Sequence, residues 1–160
     1  MTPRIEKLNE KKLIGTPLRM SLSQNRTGEL WGSFMPRKRE IENRLTNEMI
    51  SLQLYQPSHF INFDPENEFE KWAAVEVSDL ENVPSGMEAF NLTGGLYAVF
   101  EYKGSSSDTG IFQYIFGTWL PHSDYDLDDR PHFEVLGAKY KNNDPTSEEE
   151  IWIPIRSKNV

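Results

Sequence analysis

The sequence predicts an α+β fold: a pseudo-twofold tandem repeat of two β-α-β-β modules with antiparallel sheets and a ligand cleft between them. The first observation is an eight-residue segment that occurs twice, as LWGSFMPR at residues 30–37 and as IFGTWLPH at residues 115–122. The two copies agree in residue class position by position. The second observation is that each copy of this segment follows one strand-like segment and is followed by two more strand-like segments. The third is physical: three strands and one helix bury too little apolar surface alone, so two modules must share a core.

The first module is predicted over about residues 3–80. Its helix covers residues 27–35, where Leu30 and Phe34 lie at helical spacing. Pro36 should end or bend this helix, because proline removes a backbone donor. Its three strands are predicted at KKLIGTPLRMSLS (11–23), LYQPSHFINFD (54–64) and KWAAVEV (71–77).

The second module is predicted over about residues 86–157, joined to the first by ENVPSG at residues 81–86. Its helix is IFQYIFGTWL at residues 111–120, which Pro121 should stop. Its three strands are predicted at GLYAVFEYKG (95–104), HFEVLGAKY (132–140) and IWIPI (151–155). We therefore expect one domain over residues 1–160.

One position breaks the repeat in an informative way. Matching His59-Phe60-Ile61 to His132-Phe133-Glu134 places Glu134 where the first module has Ile61. If residues 132–140 form a strand, Glu134 and Tyr140 lie on the same face, together with apolar residues. A carboxylate among apolar neighbours needs a partner or takes up a proton, and a cationic ligand would be such a partner. The alternative is that Glu134 faces solvent or pairs with a lysine or arginine.

Four aromatic residues occupy equivalent places in the two modules. Trp119 and Phe34 lie near the ends of the two helices, and Trp72 and Trp152 lie on the last strand of each module. Aromatic rings stack on planar ligands and attract cations. A cleft between modules is a common ligand site. The same rings can equally be ordinary core residues.

Composition excludes several classes of protein. Seventeen Lys and Arg residues against 25 Asp and Glu residues give a formal net charge of −8, which argues against a nucleic-acid or anionic-membrane surface. There is no cysteine, no phosphate loop and no nucleophile elbow, and the three histidines lack metal-ligand spacing. We expect no metal and no cofactor. No segment reads as a signal peptide or membrane span, so a cytoplasmic protein is expected.

Four segments occur in a characteristic order: GLYAVFEYKG, IFGTWLPHSDY, PHFEVLGAKY and EIWIPI. In this order the chain resembles the GyrI-like family, the small-molecule-binding domain that also serves AraC-type and some MerR-type bacterial transcription regulators as their effector-binding part. The resemblance implies an aromatic pocket between the modules for hydrophobic, often cationic, compounds, with an acidic residue at its bottom. By resemblance, Glu134 is the pocket glutamate and Trp119 the helix tryptophan. Repeat symmetry and strand parity add Phe34, Trp72 and Tyr140.

Regulators of this family carry a DNA-binding domain before the ligand domain, and the chain shows none, so we expect a stand-alone domain. The leading hypothesis is a binding module for hydrophobic, cationic small molecules, including several drug-like compounds. The resemblance leaves two alternatives open. One is a hydrolase of strained electrophiles, with Glu134 as general base and Tyr140 polarising the substrate. The other is a protein that binds DNA gyrase.

Overall fold

Nine strands and two helical regions make up the computed structural model, which describes residues 1–158. The strands are β1 Arg4–Leu8, β2 Lys11–Met20, β3 Met49–Leu54, β4 Phe69–Val77, β5 Glu88–Leu92, β6 Gly95–Lys103, β7 Tyr125–Leu127, β8 His132–Leu136 and β9 Glu148–Ser157. Helix α1, Thr27–Phe34, continues into a 3₁₀ turn at Met35–Glu40. The second helical region runs without a break through Gly110–Tyr114, Ile115–Trp119 and Leu120–His122, and we call it α2. Its middle five residues are π-helical.

Eight strands pair antiparallel in the order β1-β6-β9-β8-β3-β4-β2-β5, and β7 adds to β9. This mixed antiparallel architecture confirms the predicted α+β class. The order reads the same from both edges when β1, β2, β3 and β4 are exchanged for β5, β6, β8 and β9. A twofold repeat would produce such an order, so the order favours the predicted repeat, which stays an interpretation.

The sheet must curl, because short turns connect strands that are far apart in its order. Strand β1 lies at one edge, yet only Asn9 and Glu10 separate it from β2, six positions away. Six strand spacings in a flat sheet would measure about 29 Å, whereas such a turn reaches only about 10 Å. Thr93 and Gly94 connect β5 to β6 in the same way from the other edge. The curled sheet thus has an inner face and an outer face.

Apolar side chains pack on both faces. On the inner face, one cluster spans the whole sheet and includes Trp72, Phe133 and Trp152. On the outer face, α1 packs against β2 and β4 through Phe34, and Ile41 just after the 3₁₀ turn joins the same cluster. A second outer cluster joins α2 to β6 and β9 through Phe100, Ile115 and Ile153. The two helices therefore cover different halves of the same face.

Two predicted strands are wrong in extent. The second strand is β3, Met49–Leu54, and residues 55–63 form turns instead of the predicted strand over 54–64. Within these turns the amide of His59 donates to the carbonyl of Gln56, as expected after Pro57 removes a ladder donor. The strand predicted over 132–140 ends at Leu136, and a turn closed by the Tyr140 amide on the Gly137 carbonyl follows it.

The remaining predicted elements agree with the structure. Strands β2, β4, β6 and β9 and both helices occupy the predicted segments, although α2 runs through Pro121 to His122. No helix in residues 1–158 has the length and apolar character needed to cross a membrane.

Candidate functional site

The centre of the outer face lies between the two helices, over strands β3 and β8. These strands pair so that Ser51 is opposite Glu134 and Gln53 is opposite His132, and all four side chains point to the outer face. They alternate with the inner-face residues of the same strands. We call this strip, with Lys71 of β4 on one side and Glu149 of β9 on the other, the seam. Its members are Ser51, Gln53, Lys71, His132, Glu134 and Glu149.

Glu134 is the half-buried carboxylate at the middle of the seam. Its Oε2 accepts a hydrogen bond of 3.0 Å from Nε2 of Gln53, which also lies 3.2 Å from Oγ of Ser51. Burial raises the pKa of Glu134, while the charge of Lys71 and the Gln53 hydrogen bond oppose that rise. Within residues 1–158 no lysine, arginine or histidine comes within ion-pair distance of this carboxylate. Its desolvation is therefore only partly offset by the protein itself.

Two further charged groups flank Glu134. Nζ of Lys71 donates to Oγ1 of Thr27 in the first turn of α1, at 3.2 Å, so the ammonium is held toward the helix. On the other side, Glu149 is half-buried on the outer face of β9. Burial first, and the nearby charge of Glu134 second, raise the pKa of Glu149 to about 7. The seam thus holds two acids and one lysine, in addition to the buried His132.

Aromatic rings enclose one end of the seam. The loop after β3, residues 56–63, is called the strap. Its Phe60 stacks on Phe116 of α2 with ring centroids 4.8 Å apart and on His132 at 5.3 Å. Tyr55, just before the strap, lies 4.9 Å from His132, and burial raises the pKa of its hydroxyl. The strap therefore links β3 to α2 across the seam.

The predicted site residues fall in different places. Tyr140 lies in the turn after β8, half-buried, and its pKa is raised by burial and then by the charges of Glu149 and Glu134, while a hydrogen bond with Ser106 opposes this. The structure therefore brings Tyr140 into the electrostatic range of Glu134. Trp119 packs under α2, with its ring 5.3 Å from that of Phe100.

The other two rings do not face the seam. Phe34 is completely buried beneath α1, where its ring meets the edge of Trp31 at 5.8 Å. Trp72 is 4% exposed and lies on the inner face beside Phe90, on the other side of the sheet from Glu134. Both residues were predicted from repeat symmetry and strand parity. Repeat symmetry carried no information about which face a ring occupies.

If the two halves are a repeat, the strand pairing gives Glu134 a different counterpart from the one that the sequence predicts. Trp72 pairs with Leu52, and Trp152 pairs with Phe133, so the register equates Gln53 with Glu134. The predicted counterpart, Ile61, is wrong: it lies in the strap and is 79% exposed. The signal for Gln53 was the alternation in MISLQL, where Ser51 and Gln53 interrupt apolar residues. The signals for Lys71 and Glu149 are weaker, since lone charges in strands are common.

A cavity of about 430 Å³ lies elsewhere, at the end of the inner face beside the β1–β2 turn. Phe133 and Trp152 form part of its floor. Two carboxylates of its wall, Glu6 and Glu150, already bind Arg4 at 2.7 and 2.9 Å. We assign the candidate site to the seam rather than to this cavity, because Glu134 of the seam has no such cationic partner within residues 1–158.

The described residues, 1–158, contain no cluster of possible metal ligands. Within residues 1–158 no group of three or more His, Asp or Glu side chains could hold a metal ion. His59 and His132 are neighbours in the aromatic cluster at the strap, but burial lowers the pKa of both, and rings surround them rather than carboxylates.

A curled antiparallel sheet with two helices on one face is the fold of this chain, and the family match identifies it as an effector-binding domain of the GyrI-like type. The chain belongs to the Cass2 family, the integron-associated effector binding proteins, whose model matches residues 4–155. The family resemblance inferred from the sequence is therefore confirmed.

Individual relatives agree with this family. The chain is 30% identical over 130 residues to the transcriptional regulator BrlR of Pseudomonas aeruginosa, covering 80% of this chain and 46% of the regulator. It thus spans less than half the length of that relative. Its fold is similar to that of SAV2435 bound to tetraphenylphosphonium, with a TM-score of 0.71 and 15% identity over 98% of this chain and 94% of that one. The fold is also similar to that of an integron cassette protein from the mobile metagenome of Vibrio cholerae. The TM-score is 0.66 and the sequence identity 16%, over 98% of this chain and 97% of that one.

Proposed function

We propose that this chain binds hydrophobic organic cations in the seam, with Glu134 as the group that selects for positive charge. The observation that carries the proposal is the half-buried carboxylate of Glu134, which has no cation within ion-pair distance among residues 1–158. Removing a carboxylate from water is unfavourable unless a positive charge or several donors replace the lost hydration. Gln53 supplies one donor, and a bound cation would supply the charge.

The surroundings of Glu134 suit the apolar part of such a ligand. Rings of Tyr55, Phe60, Phe116 and His132 border one end of the seam, and Tyr140 lies toward the other. Aromatic faces attract cations and also bury aryl groups. Tetraphenylphosphonium, the ligand of SAV2435, has this chemistry: one positive centre surrounded by four phenyl rings.

A pair of ligands with the same shape and opposite charge tests the proposal. Tetraphenylphosphonium and tetraphenylborate differ mainly in the sign of their charge, so a site governed by Glu134 should bind the cation and reject the anion. Glu134→Gln should weaken binding of the cation at least tenfold, which is about 1.4 kcal/mol, and should reduce the preference between the two ions. Titration calorimetry measures both affinities.

The matched control is Glu101→Gln, which removes a carboxylate from an exposed position on β6. This variant should bind both ions as the wild type does. Equal affinity of the wild type for the two ions, or equal losses in the two variants, would contradict a role for Glu134 in charge selection.

The Glu134→Gln variant also separates the two alternatives inferred from the sequence. A hydrolase that uses Glu134 as general base would lose turnover of a strained electrophile in this variant. A protein that binds gyrase through its exterior would still associate with gyrase when Glu134 is replaced.

A further inference from the structure

Glu149 lies next to Glu134 on the same face of the sheet. Glu134 pairs with Ile151 of β9, and Glu149 is two residues before Ile151, so the two carboxylates are diagonal neighbours on adjacent strands. Such neighbours lie about 7–8 Å apart, within reach of two glutamate side chains. The residues on either side of Glu149 point to the inner face, where Glu150 binds Arg4. Of the three glutamates that begin β9, Glu148, Glu149 and Glu150, Glu149 is thus the one that points to the outer face.

The charged and titratable groups around Glu149 come from four elements. The groups that interact electrostatically with the Glu149 carboxylate are Glu134 on β8, Lys71 on β4, Tyr102 on β6 and Tyr140 in the turn after β8. Lys71 is the cation among them, and its Nζ is bound to Thr27 rather than to either acid. A proton on one acid therefore relieves the repulsion between the two.

That proton belongs on Glu149. Burial and the charge of Glu134 raise the pKa of Glu149 to about 7. Burial raises the pKa of Glu134 as well, but there Gln53 donates directly to the carboxylate and favours its ionised form. Near neutral pH Glu149 is therefore about half protonated, beside a second acid on the same face of the sheet.

We infer that Glu149 is a second acidic residue of the binding seam, and that the site takes up an organic cation in exchange for a proton from Glu149. This inference rests on the proposed function. A cation bound between the two acids stabilises the ionised form of Glu149, and the proton passes to solvent. The exchange keeps the charge of the half-buried seam nearly constant, which limits the cost of desolvation.

Calorimetry with tetraphenylphosphonium tests the exchange, because the charge of this ligand does not depend on pH. Titrations at pH 7 in phosphate and in Tris, which differ in ionisation enthalpy, give the number of protons released. We expect about half a proton per ligand, and an affinity about tenfold higher at pH 8 than at pH 6.

Two variants assign the proton. Glu149→Gln should still bind the ligand, but with proton release and pH dependence largely lost. Glu148→Gln, a neighbour that points to the other face, should keep the behaviour of the wild type. In carbon-13 spectra of the wild type, the Glu149 carboxyl should titrate near pH 7 and shift to lower pH when the ligand is added.

The outcomes separate the two ideas. If the wild type binds tetraphenylphosphonium and Glu149→Gln releases as many protons as the wild type, the exchange at Glu149 is refuted. An unchanged titration of the Glu149 carboxyl in the presence of ligand leads to the same conclusion. If the wild type does not bind the ligand at any pH, the proposed function itself fails.

Discussion

Among single residues, His132 is the one whose burial ties the seam to the stability of the fold. It is 6% exposed and stacks against Phe60. Burial, followed by the charges of His59 and Arg130, lowers its pKa to about 3. An unfolded histidine titrates near 6.5, so the unfolded chain binds more protons between pH 3 and 6.5. Stability from this residue is therefore present above pH 6.5 and is lost as the pH falls toward 3.

The predicted loss from His132 between pH 7 and pH 5 is about 2 kcal/mol of unfolding free energy. Glu149 acts in the opposite direction, because its raised pKa makes its contribution largest at low pH and lost as pH rises through 7. Urea unfolding of the wild type and of His132→Gln at both pH values isolates the histidine: the variant should lose about 2 kcal/mol less on acidification. His122→Gln, at an exposed position, should lose as much as the wild type. Identical pH dependence in the wild type and His132→Gln would contradict the assignment.

The sequence identified Glu134 for a physical reason: an acid in an otherwise apolar strand segment has to be reconciled with its neighbours. It could not identify Gln53, because the shared His-Phe pair favoured an alignment with Ile61, while the correspondence with Gln53 depends on sheet register. The sequence also could not decide the face of Trp72, since a tryptophan in a strand suits either face, and the structure puts its ring in the inner-face cluster.

Among elements, the strap is the segment that sequence patterns described least well. Its apolar residues resemble a strand, yet Pro57 and the turns that follow direct them elsewhere. Phe60 packs on α2, whereas Phe63 remains 61% exposed. By contrast, helices α1 and α2 were predictable because their apolar spacing agrees with the packing that they adopt, although Pro121 lies within α2 and does not end it. A loop whose conformation depends on tertiary contacts gives no such periodic signal.

Replacing Phe60 tests whether the strap is held by its ring stack. Phe60→Ser should lower the unfolding free energy by about 2 kcal/mol, since a partly buried ring with several aromatic neighbours is lost. The strap should also become more sensitive to limited proteolysis. Phe63→Ser makes the same change three residues later at an exposed position, so it should have little effect on either measurement. Similar losses in both variants would show that the strap is not anchored through Phe60.

For the whole molecule, the decisive feature is the closure of the curled sheet by two crossing turns. The repeated segment predicted two modules with matching helices, and the strand order agrees with that pattern. It did not predict strands β1 and β5, which lie at the beginning of each predicted module and each pair with a strand of the other half. Their pairing depends on contacts between distant parts of the chain, so local pattern carries no information about it.

Gly94 is where the two turns meet, and it gives a test of this closure. A Cβ at Gly94 would lie 2.3 Å from the carbonyl oxygen of Leu8, a backbone atom fixed by the pairing of Leu8 with Gly95. Gly94→Ala therefore has to separate the turns or shift β1 along β6, and we expect a loss of about 2 kcal/mol or more in unfolding free energy. Gly32→Ala is the matched control, because nothing lies within 4 Å of the place that the alanine methyl group would take on α1, and alanine there should stabilise the helix by up to about 1 kcal/mol. Thermal and urea unfolding of the two variants should shift in opposite directions. A Gly94→Ala protein as stable as the wild type would mean that the turns have room to separate, and that the sheet is held closed by its inner core alone.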